Sequence, residues 1–338
     1  MKQKTIMFLM GIFALTFTVS QYLSFAVAEP INLNYANFMP ADTFPSVQME
    51  RWKAEVEKQT SGKVIINTFP GSKLLGARDM MDGVLAGKAD IGCLCMPYEH
   101  DRFLLTNATA LPLGIPNSRT GSLVLWNLYE KYKPEAFAKV KVLTMFTTSP
   151  ANIMSKKPVK TIEDVRGMTL RASGEAGEIV RTWGANLVNI PMPETPDALK
   201  KGDAEGVFSS LDVMKNMNLA QYCRFVAMTD TVIYPLAVVM NLDRWNSLPP
   251  DVQKIMNDLG PEHAKWTGSY VDNYVQEAVA WSKEKYKVEF FEFEKSYKAK
   301  FNYLLWPLTS RWIKNAEAKG LPGKAIVTDI RTFIRTYR

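Results

Sequence analysis

Short runs with the alternation of a strand and longer segments with the period of a helix take turns along nearly the whole sequence. This order constrains the fold more than any other feature. "INLNYANF" (31–38) alternates like a half-buried strand, "FPSVQMERWKAEVEKQ" (44–59) repeats apolar residues at three-to-four spacing, and "GKVIINTFP" (62–70) is strand-like again. A helix near 77–87 and the strand "DIGCLCM" (90–96) extend this β-α-β unit. Such alternation predicts a parallel sheet with helices on both faces.

The pattern returns in the middle of the chain. "KVKVLTMFT" (139–147) and "MTLRA" (168–172) read as strands, and "GEAGEIVRTWG" (174–184) reads as a helix closed by Gly184. "ANLVNIP" (185–191) is a strand, "PETPDALKKG" (193–202) a helix closed by Gly202, and "AEGVFSS" (204–210) another strand. "PLAVVMNLDRWNSLP" (235–249) reads as a strand pair, followed by a long helical stretch from Pro249 to about Lys287 and by helices over 296–318 and 323–337. No repeat or low-complexity run interrupts the chain. Two α/β lobes whose strand ends face each other leave a cleft, which is where such folds place ligands.

The N-terminus reads as an export signal. Lys2 and Lys4 precede an apolar core from Ile6 to Phe17, and Ala26 and Ala28 form an A-x-A site, so cleavage is expected after Ala28. The apolar core is shorter than the roughly 20 residues a membrane-spanning helix needs. Losing two lysines and no acids lowers the formal charge from +7 to +5. The remaining charges are interspersed, which suits solubility or attraction of small anions rather than nucleic-acid binding. About 310 residues favour two domains over one core.

Neither metal nor redox chemistry has its usual residues. Cys93, Cys95 and Cys223 read as small buried hydrophobes, with a bridge to Cys223 as the minor alternative; His100 and His263 show no ligand spacing. His263 falls in a helical surface pattern and is expected to be solvated, and His100 follows Tyr98 and Glu99 in a loop. The nucleophile elbow, the phosphate loop and the dinucleotide fingerprint are absent. The chain therefore reads as a binding protein without a cofactor, not as an enzyme.

"VRGMTLRASG" (165–174) puts Arg171 at the end of an apolar strand, before the small residues Ala172, Ser173 and Gly174. Two readings of Arg171 stand on the residues alone. It is a surface arginine in a salt bridge, or its guanidinium fork holds a ligand carboxylate bidentately, with the small residues allowing close approach.

In this order, "NFMPADTFPSVQMERWKAEVEKQTSGKVIINTFPGSKLLGARDMMDGVLAGKADIG", "KPVKTIEDVRGMTLRASG", "NIPMPETPDALKKGDAEGVFSS" and "NLDRWNSLPPDVQKIM" resemble the DctP-like solute-binding proteins of tripartite ATP-independent periplasmic (TRAP) transporters. The resemblance covers essentially the whole chain after the signal. It implies an α/β, two-lobed periplasmic binding protein fold with parallel-rich sheets flanked by helices and a long C-terminal helix spanning the lobes. It also implies a periplasmic receptor that closes on a small organic acid and delivers it to membrane permease subunits. The expected division is a signal at 1–28, lobe 1 at 29–150 with a contribution from about 240–290, lobe 2 at 151–240, and C-terminal helices at 241–338. A monomer is expected.

In that family the arginine of a K-G-x-x-x-R run pairs with the substrate carboxylate, and "RGMTLR" puts Arg171 there. Where relatives read V-D-G-Q-E-N-P this chain reads "AEGVFSS", so Ser209 stands for a supporting asparagine and Ser210 for the proline. A hydroxyl offers fewer hydrogen bonds than an amide, which weakens the case for a dicarboxylate. Phe38, Phe69, Tyr98, Phe146, Trp183, Phe208 and Tyr234 lie near the inferred strand ends, about half of them expected as core and the rest as lining. The preferred ligand is a monocarboxylate with an apolar or aromatic body. A C4-dicarboxylate or keto-acid receptor, or a ligand-sensing subunit of the same fold, is the alternative. Trp306 and Trp312 carry the stripe of helices packed on both lobes.

Overall fold

The computed structural model describes residues 29–338, so the export signal expected at 1–28 lies outside the described residues. The chain opens with β1 (Ile31–Asn37), α1 (Phe44–Gln59), β2 (Val64–Phe69), α2 (Met80–Leu85) and β3 (Ile91–Cys95). Next come α3 (Leu104–Asn107), α4 (Ser118–Tyr132), β4 (Val140–Thr147), β5 (Asn152–Ser155), α5 (Ile162–Val165), β6 (Thr169–Arg171) and α6 (Glu175–Thr182). They are followed by β7 (Asn186–Val188), α7 (Thr195–Lys201), β8 (Gly206–Ser209), α8 (Val213–Asn216), β9 (Phe225–Met228) and β10 (Pro235–Asn241). The chain ends with α9 (Leu242–Asn246), α10 (Pro250–Tyr286), β11 (Glu289–Glu292), α11 (Lys295–Ala318) and α12 (Gly323–Tyr337).

The strands form two sheets, β2-β1-β3-β10-β4 and β11-β9-β5-β8-β6-β7, one per lobe. Both are mixed rather than parallel throughout. β10 runs antiparallel to β3 and β4, and β5 runs antiparallel to β8 and β9. The cause is topological: the chain crosses between lobes after β4 and returns before β10, so each sheet receives a strand from the opposite direction. The two crossings are zipped together by Thr148 N–H to Tyr234 O (3.1 Å) and Ala151 N–H to Val232 O (2.7 Å).

Local sequence accounts for much of this. α1 carries Pro45 in its first turn and buries Met49, Trp52 and Val56 along one stripe. α7 stops at Gly202, whose φ of 89° is left-handed. "PLAVVMNLDRWNSLP" is not a strand pair. The Asn241 side chain accepts from Arg244 N–H at 2.9 Å and caps α9, so the second half turns helical.

α10 is 37 residues long, about 55 Å at 1.5 Å per residue. A Cβ on its Gly268 would lie 2.5 Å from Arg119 Cα, so this glycine lets α10 approach α4 closely. Asp272 of α10 accepts from Ser118 N–H (2.7 Å) and Arg119 N–H (2.9 Å), capping α4 in the first lobe. Five residues on, Glu277 pairs with Lys215 of α8 in the second lobe at 3.3 Å. The helix thus spans both lobes.

Two surface expectations are corrected. His263 is fully buried on the packed face of α10, and burial pushes its pKa down to about 4, with Arg51 adding to the shift. Trp306 is 74% exposed, whereas Trp312 on the same helix is buried against α12 residues such as Ile326 and Ile330. The three cysteines are free and buried, as their reading as small hydrophobes anticipates.

Candidate ligand-binding site

β1, β3, β4, β6 and β8 all end toward the line where the lobes meet. β10 starts there, with Leu236 opposite Cys95 and Pro235 opposite Thr147. The segments leaving these ends enclose a cavity of about 40 Å³ within a cleft of about 420 Å³ that opens to solvent. Phe38, Met39 and Phe44 enter from behind β1, Cys95 and Tyr98 from β3, Arg171 from β6, and Ser209 and Asp212 from β8. Thr148 and Tyr234 come from the crossings, and Leu236 from β10.

Arg171 is only 1% exposed. Its Nε and Nη2 donate to Ile190 O at 3.0 and 2.8 Å, and Nη2 also donates to the Tyr98 hydroxyl at 3.3 Å. That hydroxyl accepts from Met192 N–H at 2.9 Å as well, so Tyr98 of the first lobe bonds two residues of the second. No carboxylate among the described residues lies within ion-pair distance of Arg171. Burying a charge without a counter-charge is expensive, and of the two sequence readings the surface salt bridge is excluded.

Burial acts on the other ionisable groups of the cavity as well. Burial pushes the Cys95 thiol up to about 12 against the opposing pull of Arg171, and burial likewise raises the Tyr98 phenol to about 12. Burial raises the Asp212 carboxyl as well, with Ser210 and Asn216 opposing. Tyr234 donates its hydroxyl to Phe208 O at 2.7 Å, another bond between the lobes.

Of the residues expected at the site from sequence, Arg171, Ser209, Phe38, Tyr98 and Tyr234 come together at the cavity. The other five do not. Trp183 packs edge-on against both Phe208 and Phe301, with centroids 5.1 Å apart in each pair, so Trp183 and Phe208 are core of the second lobe. Phe146 stands behind the lining residue Phe44 at 6.0 Å. Phe69 stays half-buried on the edge strand β2, and Ser210 is fully buried and does not line the cavity. The small residues after Arg171 serve a different purpose from the one expected. A Cβ on Gly174 would lie 2.6 Å from Pro97 Cβ, so Gly174 lets the lobes meet rather than a ligand approach.

Sequence reasoning missed Asp212, Cys95 and Met192 as lining residues. "SSLDVM" offered a signal for the first, an acid directly after a strand end; the others had none, because a cysteine and a methionine in apolar runs look like core.

The profile of the bacterial extracellular solute-binding proteins, family 7 (DctP), matches residues 35–315. The chain belongs to this family. A TRAP periplasmic solute-binding protein of Desulfovibrio salexigens is 47% identical, with a TM-score of 0.82 over 91% of this chain and 97% of that one. That structure is an open complex with the C-terminus of a symmetry mate in its ligand-binding site. A TRAP solute-binding protein of Rhodoferax ferrireducens, in complex with copurified benzoate, is 22% identical with a TM-score of 0.86 over 91% of this chain and 98% of its own. A monocarboxylate 2-oxoacid-binding periplasmic protein of Nostoc is 26% identical over 59% of this chain and 57% of that protein. As a family 7 protein the chain is a TRAP solute-binding receptor, a kind that binds small organic acids and works with membrane permease subunits. Among the described residues, no helix is long and apolar enough to cross a membrane, and no group of three or more His, Cys, Asp and Glu side chains is placed to hold a metal ion.

Proposed function

We propose that this receptor captures a small organic monocarboxylate with an apolar or aromatic body in the cavity between its lobes, and that Arg171 pairs with the carboxylate. The observation that carries this reading is the buried guanidinium without an acidic partner. Its bonds to Ile190 O and Tyr98 fix the fork and leave Nη1 for an anion. Ser209 assists as a neutral donor, and Phe38, Tyr98 and Tyr234 form the wall. A second ligand carboxylate is disfavoured, because Arg171 is the one cationic side chain lining the cavity among the described residues, and Asp212 beside it is an acid.

A cavity of about 40 Å³ holds a few waters, whereas a benzene-sized body needs about 150 Å³. Uptake therefore requires the lobes to part and reclose around the ring. Benzoate in the Rhodoferax protein and a peptide C-terminus in the Desulfovibrio site agree with a carboxylate end in folds of this shape. Residues 1–28 direct export to the periplasm, where the receptor acts as a monomer.

Calorimetry with aromatic, branched and C4 acids tests this, with wild type beside Arg171→Ala. The variant is expected to stay folded and to lose on the order of 2–5 kcal/mol of carboxylate binding. Unchanged affinity removes Arg171 from the site, and binding of succinate or malate with no aromatic acid bound refutes the proposed ligand class.

A further inference from the structure

Asp212 lies three residues beyond Ser209, lines the same cavity as Arg171 and is 2% exposed. Its Oδ2 accepts from Asn216 Nδ2 at 3.0 Å, but its Oδ1 is buried with no hydrogen-bond partner. The fold does not explain the carboxylate. Asp212 precedes α8 but makes no side-chain cap, and its main-chain oxygen, not its side chain, receives Lys215 N–H and Asn216 N–H at 3.1 Å each. The nearby lysine is engaged elsewhere: Lys215 pairs with Glu277 and lies over the Tyr274 ring. Ser210, the adjoining hydroxyl, is buried and close enough to oppose the rise of the Asp212 pKa, but its approach to the carboxylate lacks ordinary hydrogen-bond geometry and leaves Oδ1 unserved. A carboxylate oxygen left this way is among the most costly polar groups to bury.

We propose that Asp212 determines specificity within the site described above: its Oδ1 accepts a hydrogen bond from a hydroxyl or N–H on the ligand body while Arg171 holds the ligand carboxylate. The inference rests on the reading of Arg171 as the carboxylate anchor, and it narrows the ligand class to monocarboxylates that carry a donor group. Analogues with a keto oxygen or a bare methylene at that position leave Oδ1 unpaired, and the keto oxygen also faces it with a second lone pair. A site built around such a bond rejects the analogue lacking it more strongly than an apolar pocket rejects an extra group.

The test is calorimetry or thermal shift at one pH and salt concentration on matched acids: mandelate, phenylglyoxylate and phenylacetate; lactate, pyruvate and propionate; 3-hydroxybenzoate and benzoate. Wild type is expected to bind the hydroxyl member of its preferred set at least about tenfold more tightly than the keto or unsubstituted member. In Asp212→Leu the preference falls to within about threefold, and Asp212→Asn, which keeps an accepting oxygen, retains part of it. Melting curves establish that the variants fold. Three results overturn the inference: a wild-type preference for a keto acid, which means a protonated Asp212 that donates; a preferred acid with no donor; or discrimination that survives Asp212→Leu. Arg171→Ala separates the two levels. If it abolishes binding of every acid while Asp212→Leu changes no preference, the role of Asp212 alone fails; if it changes nothing, the anchor fails first.

Discussion

His100 Nδ1 lies 3.0 Å from Glu175 Oε1 across the junction of the lobes. His100 follows the Tyr98 turn beyond β3, and Glu175 begins α6 four residues after Arg171. The same two segments are joined by Tyr98 to Arg171 and Met192, and by Pro97 seated on Gly174. Arg78 adds a further tie, donating to Tyr98 O at 3.1 Å and to Asn189 O of the second lobe at 3.2 Å. Arg171, proposed above as the ligand anchor, and the contacts that hold the lobes shut therefore form one continuous patch. Loosening it should be felt as affinity.

Closure should depend on pH through this pair. The Glu175 carboxylate at 3.0 Å is the largest cause raising the His100 pKa above its ordinary 6.5, with Asp101 and Glu178 adding to the rise and burial opposing it. Arg311 and Asn315 of α11 face the same hollow. For a raised histidine, the stabilising contribution is full below the ordinary value and is lost as pH rises through the raised one. Small-angle scattering at about pH 6 and about pH 8 should show wild type less closed at the higher pH, with His100→Gln nearly flat. An equal response in both proteins would exclude the pair as its source.

Gly174→Ala should hold the lobes apart. The added Cβ would meet Pro97 Cβ at 2.6 Å, and φ at this position is +55°. Backbone strain of about 1–3 kcal/mol is expected whether the lobes are open or shut, while the clash exists only when they are shut. Affinity should therefore fall further than the melting temperature accounts for, and scattering should report a larger radius. A variant that binds normally would mean the contact yields without opening the cleft.

Ser209→Ala should weaken binding by about 0.5–1.5 kcal/mol, the worth of one neutral hydrogen bond, well below the loss for Arg171→Ala. Ser209 is 3% exposed and sits at the end of β8, opposite Asn152 of β5. Calorimetry of both variants in one buffer decides the matter. A loss as large as that of Arg171→Ala would make Ser209 an organiser of the clamp instead of an assistant to it.

The sequence by itself determined the elements whose signals are local. The stripe of α1, the length of α10, the glycine stop of α7 and the position of Arg171 at the end of β6 follow from spacing and from single residues, since a helix face or a cap is specified within a few positions along the chain. Family-specific motifs then pointed to Arg171 and Ser209. Only the tertiary structure decided the rest. β5, β9 and β11 span four residues each, were not read from the sequence, and exist because distant strands pair with them. The antiparallel entry of β10 depends on how the chain crosses between lobes. His263 is buried because that face of α10 is covered by other elements, while Trp306 finds no cover on α11. Which aromatics line the cavity was likewise undecided, because Tyr98 and Trp183 carry the same apolar signature in sequence. One reaches the junction with its hydroxyl, and the other is enclosed by Phe208 and Phe301. Burial and pairing are properties of two surfaces brought together, and a chain read one residue at a time specifies only one of them.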